Sequence, residues 1–188
     1  MKRHIKYQVD AQADWGAMVG EQPGCERLFS CIQCGTCSGT CPVSIYMDLS
    51  PRRIMALVRE GFRDDALASK TIWLCASCYS CSVACPQKIS VTDVMYALKR
   101  EALSKGILPK DLAIPVLAQE FCSMVSKTGR NSEFWLVLRV ALRTNPFALF
   151  TMLPVAWNLM RTGRLPLGRE AIVRKWELPA RAAAKGVR

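Results

Sequence analysis

Apolar residues recur at helical spacing along most of the chain. Ile54, Leu57, Val58 and Phe62 share one face of a predicted helix. Ser50 suits its N-cap and Pro51 its first position, where proline's missing N–H removes nothing. Gly61 weakens that helix near its end. A second stripe, Val94, Met95, Leu98 and Ala102, predicts a helix capped by Ser90 or Thr92 and stopped at Gly106. Leu117, Phe121, Met124 and Val125 form a third stripe ahead of Gly129, and Phe134, Val137, Leu138, Ala141 and Leu142 a fourth. Asn145 and Pro146 read as the cap and first residue of a last helix, which Pro154 should kink or break. That helix is apolar on most sides, through Phe147, Leu149, Phe150, Met152, Leu153, Val155 and Trp157, so either the rest of the chain or a partner must cover it. No alternating, strand-like run of useful length intervenes, and the expected fold class is all-α.

The pattern divides the chain into a polar lead-in over 1–24, partly irregular, a cysteine-rich region over 25–105, and a cysteine-poor helical extension with a basic tail over 106–188. The extension is the expected partner-docking region. With 51% hydrophobic and 22% charged residues, the 188-residue chain has a globular composition and can bury an ordinary core. The start, "MKRHIKYQVDAQADWG", has no apolar run behind its basic residues, so no secretory signal is expected. Arg139, Arg143, Asn145 and Pro146 cut the most apolar stretch, 134–160, into pieces shorter than the roughly 20 residues of a membrane span. The expectation is a soluble, cytoplasmic chain that meets membranes only through partners, if at all.

Ten cysteines without an export signal argue for a reducing compartment, where close-set thiols hold metal or do redox work rather than pair. Eight of them fall in two runs, "CIQCGTCSGTCP" over 31–42 and "CASCYSCSVACP" over 75–86. Both match C-x2-C-x2-C-x3-C-P, the bacterial four-iron cluster signature. Three thiolates two residues apart can wrap one cubane only if the backbone between them loops tightly, and Gly35 helps that turn. The fourth cysteine starts the outgoing segment, and in two-cluster ferredoxins it ligates the other cluster. Cys31, Cys34, Cys37 and Cys85 are therefore assigned to one [4Fe–4S] cluster, and Cys75, Cys78, Cys81 and Cys41 to a second. Thr36, Ser38, Thr40, Ser77, Ser80 and Ser82 stand near enough in sequence to hydrogen-bond cluster sulfurs. Structural zinc uses two well-separated cysteine pairs, which does not describe four thiols packed in one run. The formal charge of +11 falls to roughly +7 if two oxidised clusters each carry about two negative charges. The remaining basicity suits docking on an acidic partner subunit, and no nucleic acid is expected as a partner; the remote alternative is a nucleic-acid-binding module with zinc structural sites, which the cysteine spacing disfavours.

Cys25 reads as a surface thiol or one close to a cluster, and Cys122 as a small buried hydrophobe beside the third stripe. His4 receives no function, and no nucleophilic triad, G-x-G-x-x-G or P-loop is present, so no catalytic residue is assigned.

Together, "CIQCGTCSGTCP", "SPRRIMALVREG", "KTIWLCASCYSCSVACP" and "ISVTDVMYALKREAL" resemble the C subunit of heterodisulfide reductase and its bacterial relatives, most strongly over about residues 25–105. A weaker likeness continues through "TMLPVAWNLMRTGRLPL". The resemblance implies an α-helical ferredoxin fold with additional C-terminal helices, similar to the C-terminal half of succinate dehydrogenase and fumarate reductase iron–sulfur subunits. It also implies an electron relay through two [4Fe–4S] clusters. Electrons would come from the A subunit of such a complex, which bears flavin and clusters, and go to the B subunit, whose cysteine-rich domains cleave a disulfide. In methanogens that disulfide joins coenzymes M and B; bacterial relatives act in other disulfide or sulfur chemistry. All eight ligands of the family pattern are present. The alternative is the iron–sulfur subunit of another flavoprotein dehydrogenase, of glycerol-3-phosphate, glycolate or succinate/fumarate type. The first two usually fuse the ferredoxin part to cysteine-rich domains, whereas residues 106–188 hold only Cys122.

Overall fold

The computed structural model describes residues 11–109 and 112–164. His4 and the basic tail lie outside them. The described residues form ten α-helices and two short 3-10 turns, with no strand, as the all-α reading expects. The chain divides into two compact units, Met1–Leu108 and Pro109–Arg188.

The first unit holds α1 (Ala13–Gly20), α2 (Thr36–Gly39), α3 (Pro51–Arg59), α4 (Arg63–Ala68), α5 (Thr71–Leu74), α6 (Ser80–Val83) and α7 (Val91–Lys105). Two of these carry the core. On α3, Ile54, Met55, Leu57 and Val58 are buried, and on α7 Val94, Met95, Ala97, Leu98 and Ala102. These are the two expected stripes, widened by Met55 and Ala97; Phe62 is only half-buried. Ser50 and Pro51 occupy the expected N-cap and first position of α3, although the Ser50 side chain makes no cap hydrogen bond, and Gly106, at φ 69°, ends α7 in the left-handed conformation that glycine adopts without strain. Both α1 and α4 pack against α3 and against α7, and so bridge the two core helices. Truncating a fully buried leucine here, such as Leu98, costs about 2–5 kcal/mol.

The polar lead-in contains α1, which the sequence pattern does not foretell. Its short apolar side, Trp15 and Val19, is buried, and Trp15 Nε1 donates to Glu101 Oε2 of α7 at 2.8 Å. Glu101 also pairs with Arg63 of α4 at 2.7 Å, so one carboxylate ties three helices. Gly61 proves to be a required turn rather than a weak point inside a helix. Its φ is +78°, its carbonyl accepts the Gln12 N–H at 2.9 Å, and a Cβ there would collide with the Gln12 carbonyl oxygen.

The second unit holds α8 (Ile114–Thr128), α9 (Glu133–Thr144) and α10 (Ala148–Arg161), with α9 packed on both neighbours. The expected faces are rotated. α8 buries Pro115, Glu120 and Met124 and leaves Leu117 and Phe121 exposed; α9 buries Leu136 and Ala141 and leaves Val137 and Leu142 exposed. The reason is electrostatic. Glu120 must face α9 to meet Arg143 Nη1 at 2.6 Å and Arg139 Nη1 at 3.6 Å. Cys122 lies two residues from both Glu120 and Met124, about 200° round the helix, and is therefore exposed rather than buried. Asn145 accepts the Phe147 N–H at 3.1 Å, α10 starts at Ala148, and the helix runs through Pro154 without a break. The described residues leave Phe147, Phe150, Leu153, Val155 and Trp157 exposed. Among them no helix is long and apolar enough to cross a membrane.

Candidate metal centre

The two cysteine runs fold into loops of one design. Cys31 and Cys75 each follow a helical turn with near-identical backbone, φ −65° and ψ 116° against φ −58° and ψ 113°. Each loop then turns left-handed twice, at Gln33 (φ 58°) and Gly35 (φ 85°) in the first and at Ser77 (φ 56°) and Tyr79 (φ 61°) in the second. A one-turn helix, α2 or α6, leads on to the fourth cysteine. Alternation of left- and right-handed residues makes a concavity that suits an anionic group. Three of the four positions are non-glycine, and each such residue stores about 1–2 kcal/mol of backbone strain that the surrounding fold must hold in place.

Two cavities of similar size, about 360 and 390 Å³ including their open mouths, lie at these loops. The first is lined by Cys31, Cys34, Cys37 and Cys85, the second by Cys75, Cys78, Cys81 and Cys41. Each therefore combines three thiols of one run with the fourth of the other. Val91, buried at the first position of α7, lines both. Met55 and Ile89 complete the apolar wall of the first cavity, Pro51 and Met95 that of the second.

Polar neighbours repeat as well. Cys34 Sγ lies 3.4 Å from Thr36 Oγ1, and Cys78 Sγ 3.5 Å from Ser80 Oγ; these hydroxyls hold both exposed thiols below the usual cysteine range. Burial pushes Cys37 and Cys41 the other way. Gln33 Nε2 donates to Cys31 Sγ at 3.4 Å, and Thr92 Oγ1 lies 3.6 Å from Cys81 Sγ. Of the other hydroxyls near the runs, Thr40 donates to the Thr36 carbonyl, Ser38 serves the helix that follows and also hydrogen-bonds with the Cys37 thiol, and Ser82 serves the helix that follows.

The repeat extends beyond the cysteines, which the cysteine spacing alone does not reveal. Ser38 Oγ accepts the N–H of Arg52 at 3.0 Å, the second residue of α3, and Ser82 Oγ accepts that of Thr92 at 3.3 Å, the second residue of α7. At matching positions farther along the two helices a cation reaches back to the first cysteine of its run: Arg59 Nη1 donates to the Cys31 carbonyl, and Lys99 Nζ to the Cys75 carbonyl at 3.2 Å. The signal was available by aligning "SPRRIMALVR" with "SVTDVMYALK", where Ser50 matches Ser90, Ile54 Val94, Met55 Met95 and Arg59 Lys99.

Asp48, which no motif marks in the sequence, joins the exit of the first loop to the entry of the second. Its carboxylate accepts from Ser69 Oγ (2.8 Å), Lys70 N (3.0 Å), Thr71 N (2.9 Å), Thr71 Oγ1 (2.7 Å) and Leu49 N (2.9 Å). Partial loss of water raises its pKa, but the donors from Thr71, Lys70, Ser69 and Leu49 outweigh that and hold it below the ordinary aspartate value. Cys25 is neither a surface thiol nor a lining residue of either cavity. It is fully buried, and burial, with Asp93 adding and Arg100 opposing, pushes it up to about 11, so it stays a neutral thiol in the core.

Four thiols around each cavity, backed by hydroxyls, a cation and an apolar wall, fit the donor set of a four-iron, four-sulfide group. Comparison with known proteins agrees. The 4Fe-4S dicluster domain family matches residues 27–89. The chain is 35% identical over 107 residues to the C subunit of the H(2):CoB-CoM heterodisulfide,ferredoxin reductase of Methanothermobacter marburgensis, covering 56% of this chain and 54% of that one. It is 40% identical over 81 residues to the C subunit of the Ferredoxin:CoB-CoM heterodisulfide reductase of Methanosarcina mazei, covering 43% and 50%. To a protein of Archaeoglobus profundus named for its likeness to the heterodisulfide reductase C subunit it is 31% identical over 105 residues, covering 55% and 53%. The chain spans about half the length of the curated relatives it matches. Over that part it resembles the heterodisulfide reductase C subunit, and it carries a 4Fe–4S dicluster domain of ferredoxin type in an all-helical fold.

Proposed function

We propose that the chain is the electron-transfer subunit of a heterodisulfide-reductase-like complex, passing single electrons by way of two [4Fe–4S] clusters. Its partners are the A subunit of such a complex, bearing flavin and iron–sulfur clusters, and the disulfide-cleaving B subunit. Cys31, Cys34, Cys37 and Cys85 hold one cluster, and Cys75, Cys78, Cys81 and Cys41 the other. The observation that carries this reading is the division of eight thiols between two cavities that share the wall residue Val91. When bound, each cluster supplies one-electron chemistry.

The chain's own residues give that chemistry its setting. Thr36 and Ser80 favour the thiolate forms of Cys34 and Cys78. Arg59 and Lys99 hold the first-cysteine carbonyls and offset anionic charge. Met55, Ile89, Val91 and Met95 exclude water from the inner walls.

Metal and sulfide analysis of the anaerobically purified chain tests the cofactor: about eight irons and eight labile sulfides per chain are expected, and zinc without iron overturns it. Purification with native partners tests the complex. A flavoprotein and a protein with cysteine-rich domains should accompany the chain; a single fused dehydrogenase in their place would overturn the assignment.

A further inference from the structure

The two cavities are built alike but charged differently. Arg52 lines the first, and its backbone N–H donates to Ser38 Oγ at 3.0 Å, which sets the start of α3 beside that cavity. At the matching place in the second cavity stands Thr92, and no cationic side chain lines that cavity among the described residues. One residue farther along each helix the contrast deepens. Arg53 of α3 corresponds to Asp93 of α7, whose Oδ1 accepts from the Tyr79 hydroxyl on the rim of the second cavity at 3.5 Å. The carbonyl-bound cations, Arg59 and Lys99, balance each other in the comparison.

Taking up one electron adds one negative charge to a site that is already negative. A cationic side chain lining the cavity stabilises the reduced form more than the oxidised one and so raises the reduction potential; a nearby carboxylate lowers it. We propose that Arg52 makes the cluster held in the first cavity the more readily reduced of the two, so that an electron shared between them rests there. The inference rests on the two-cluster reading above. Arg52 is exposed, and its side chain can be exchanged without opening the core.

The test is a redox titration of the full chain carrying its clusters, followed by electron paramagnetic resonance, with iron and sulfide measured first. Cys34→Ser should remove or alter the higher-potential signal. Arg52→Gln should lower the higher potential and leave the lower one in place, Arg52→Lys should restore most of the shift, and Asp93→Asn should raise the lower potential. Unmoved potentials in Arg52→Gln at full iron content, or loss of the lower-potential signal in Cys34→Ser, would overturn the assignment of Arg52. A wild-type chain with far fewer than about eight irons overturns the underlying reading instead.

Discussion

The first cysteine loop turns on Gly35 and the second on Tyr79, yet both residues hold the same left-handed backbone. Glycine reaches that conformation freely; a bulky aromatic does so only under constraint from its surroundings. The fold therefore demands one backbone path at both places and tolerates different side chains on it. The same holds one layer out. Arg59 and Lys99 do one job with different headgroups, while Arg52 and Thr92 share a backbone tie and differ in charge. Geometry is repeated, and electrostatics is where the two loops diverge.

The largest test of this pairing is exchange of the fourth cysteines. Cys85→Ser should empty the first cavity and Cys41→Ser the second, each lowering iron from about eight to about four per chain, with the surviving cluster identified by its paramagnetic spectrum. Loss of the second run's cluster in Cys85→Ser would break the crossed arrangement.

Next come the carbonyl-bound cations. Arg59→Met should weaken the first site and Lys99→Met the second, each by about 2 kcal/mol, the scale of a hydrogen bond to a charged group. Iron release to a chelator, resolved by which signal fades first, reads the difference. Asp48 joins the loops and favours neither, so Asp48→Asn should destabilise both sites together by about 1–2 kcal/mol. Because its folded pKa is depressed, its contribution is complete above the unfolded value near 4 and is lost only as pH falls through the folded one. The gap between wild type and variant, measured by denaturant titration, should stay constant between about pH 5.5 and 8.

The smallest effects should have opposite signs. Gly35→Ala adds a Cβ that meets only Arg52 Cδ at 3.6 Å, an ordinary contact, so its penalty of about 1 kcal/mol comes from the backbone. Tyr79→Gly relieves comparable strain. Slower iron release in Tyr79→Gly and faster release in Gly35→Ala would sharpen the view that both loops follow one path.

Much of this was legible because the responsible signals are local. The cysteine spacing, Ser50 with Pro51, and the stripe from Val94 to Ala102 each specify their structure within a few residues, and the described helices α3 and α7 follow them. What was not legible depends on partners distant in sequence. α1 has only Trp15 and Val19 to mark it, and its anchor is Glu101 of α7. The faces of α8 and α9 were misread because a buried carboxylate, Glu120, outranks the apolar stripe once Arg139 and Arg143 are opposite it. Left-handed Tyr79 left no trace, since aromatic residues give no hint of positive φ. The match of Arg59 with Lys99 was hidden by unequal lengths of chain between each cysteine run and its helix, nine residues from Cys41 to Ser50 against five from Cys85 to Ser90.

The exchange of fourth cysteines also has a consequence for biogenesis. As the chain leaves the ribosome, Cys31, Cys34 and Cys37 emerge well before Cys85, and the first cavity cannot close until the second loop has been made and folded back. Closing so long a loop carries an entropic penalty that grows with the logarithm of its length, and packing of the core by α3 and α7 offsets it. The four thiols of the second cavity have all been made by Cys81 and those of the first only with Cys85, so neither cavity can close until both loops exist, and the second is complete four residues before the first.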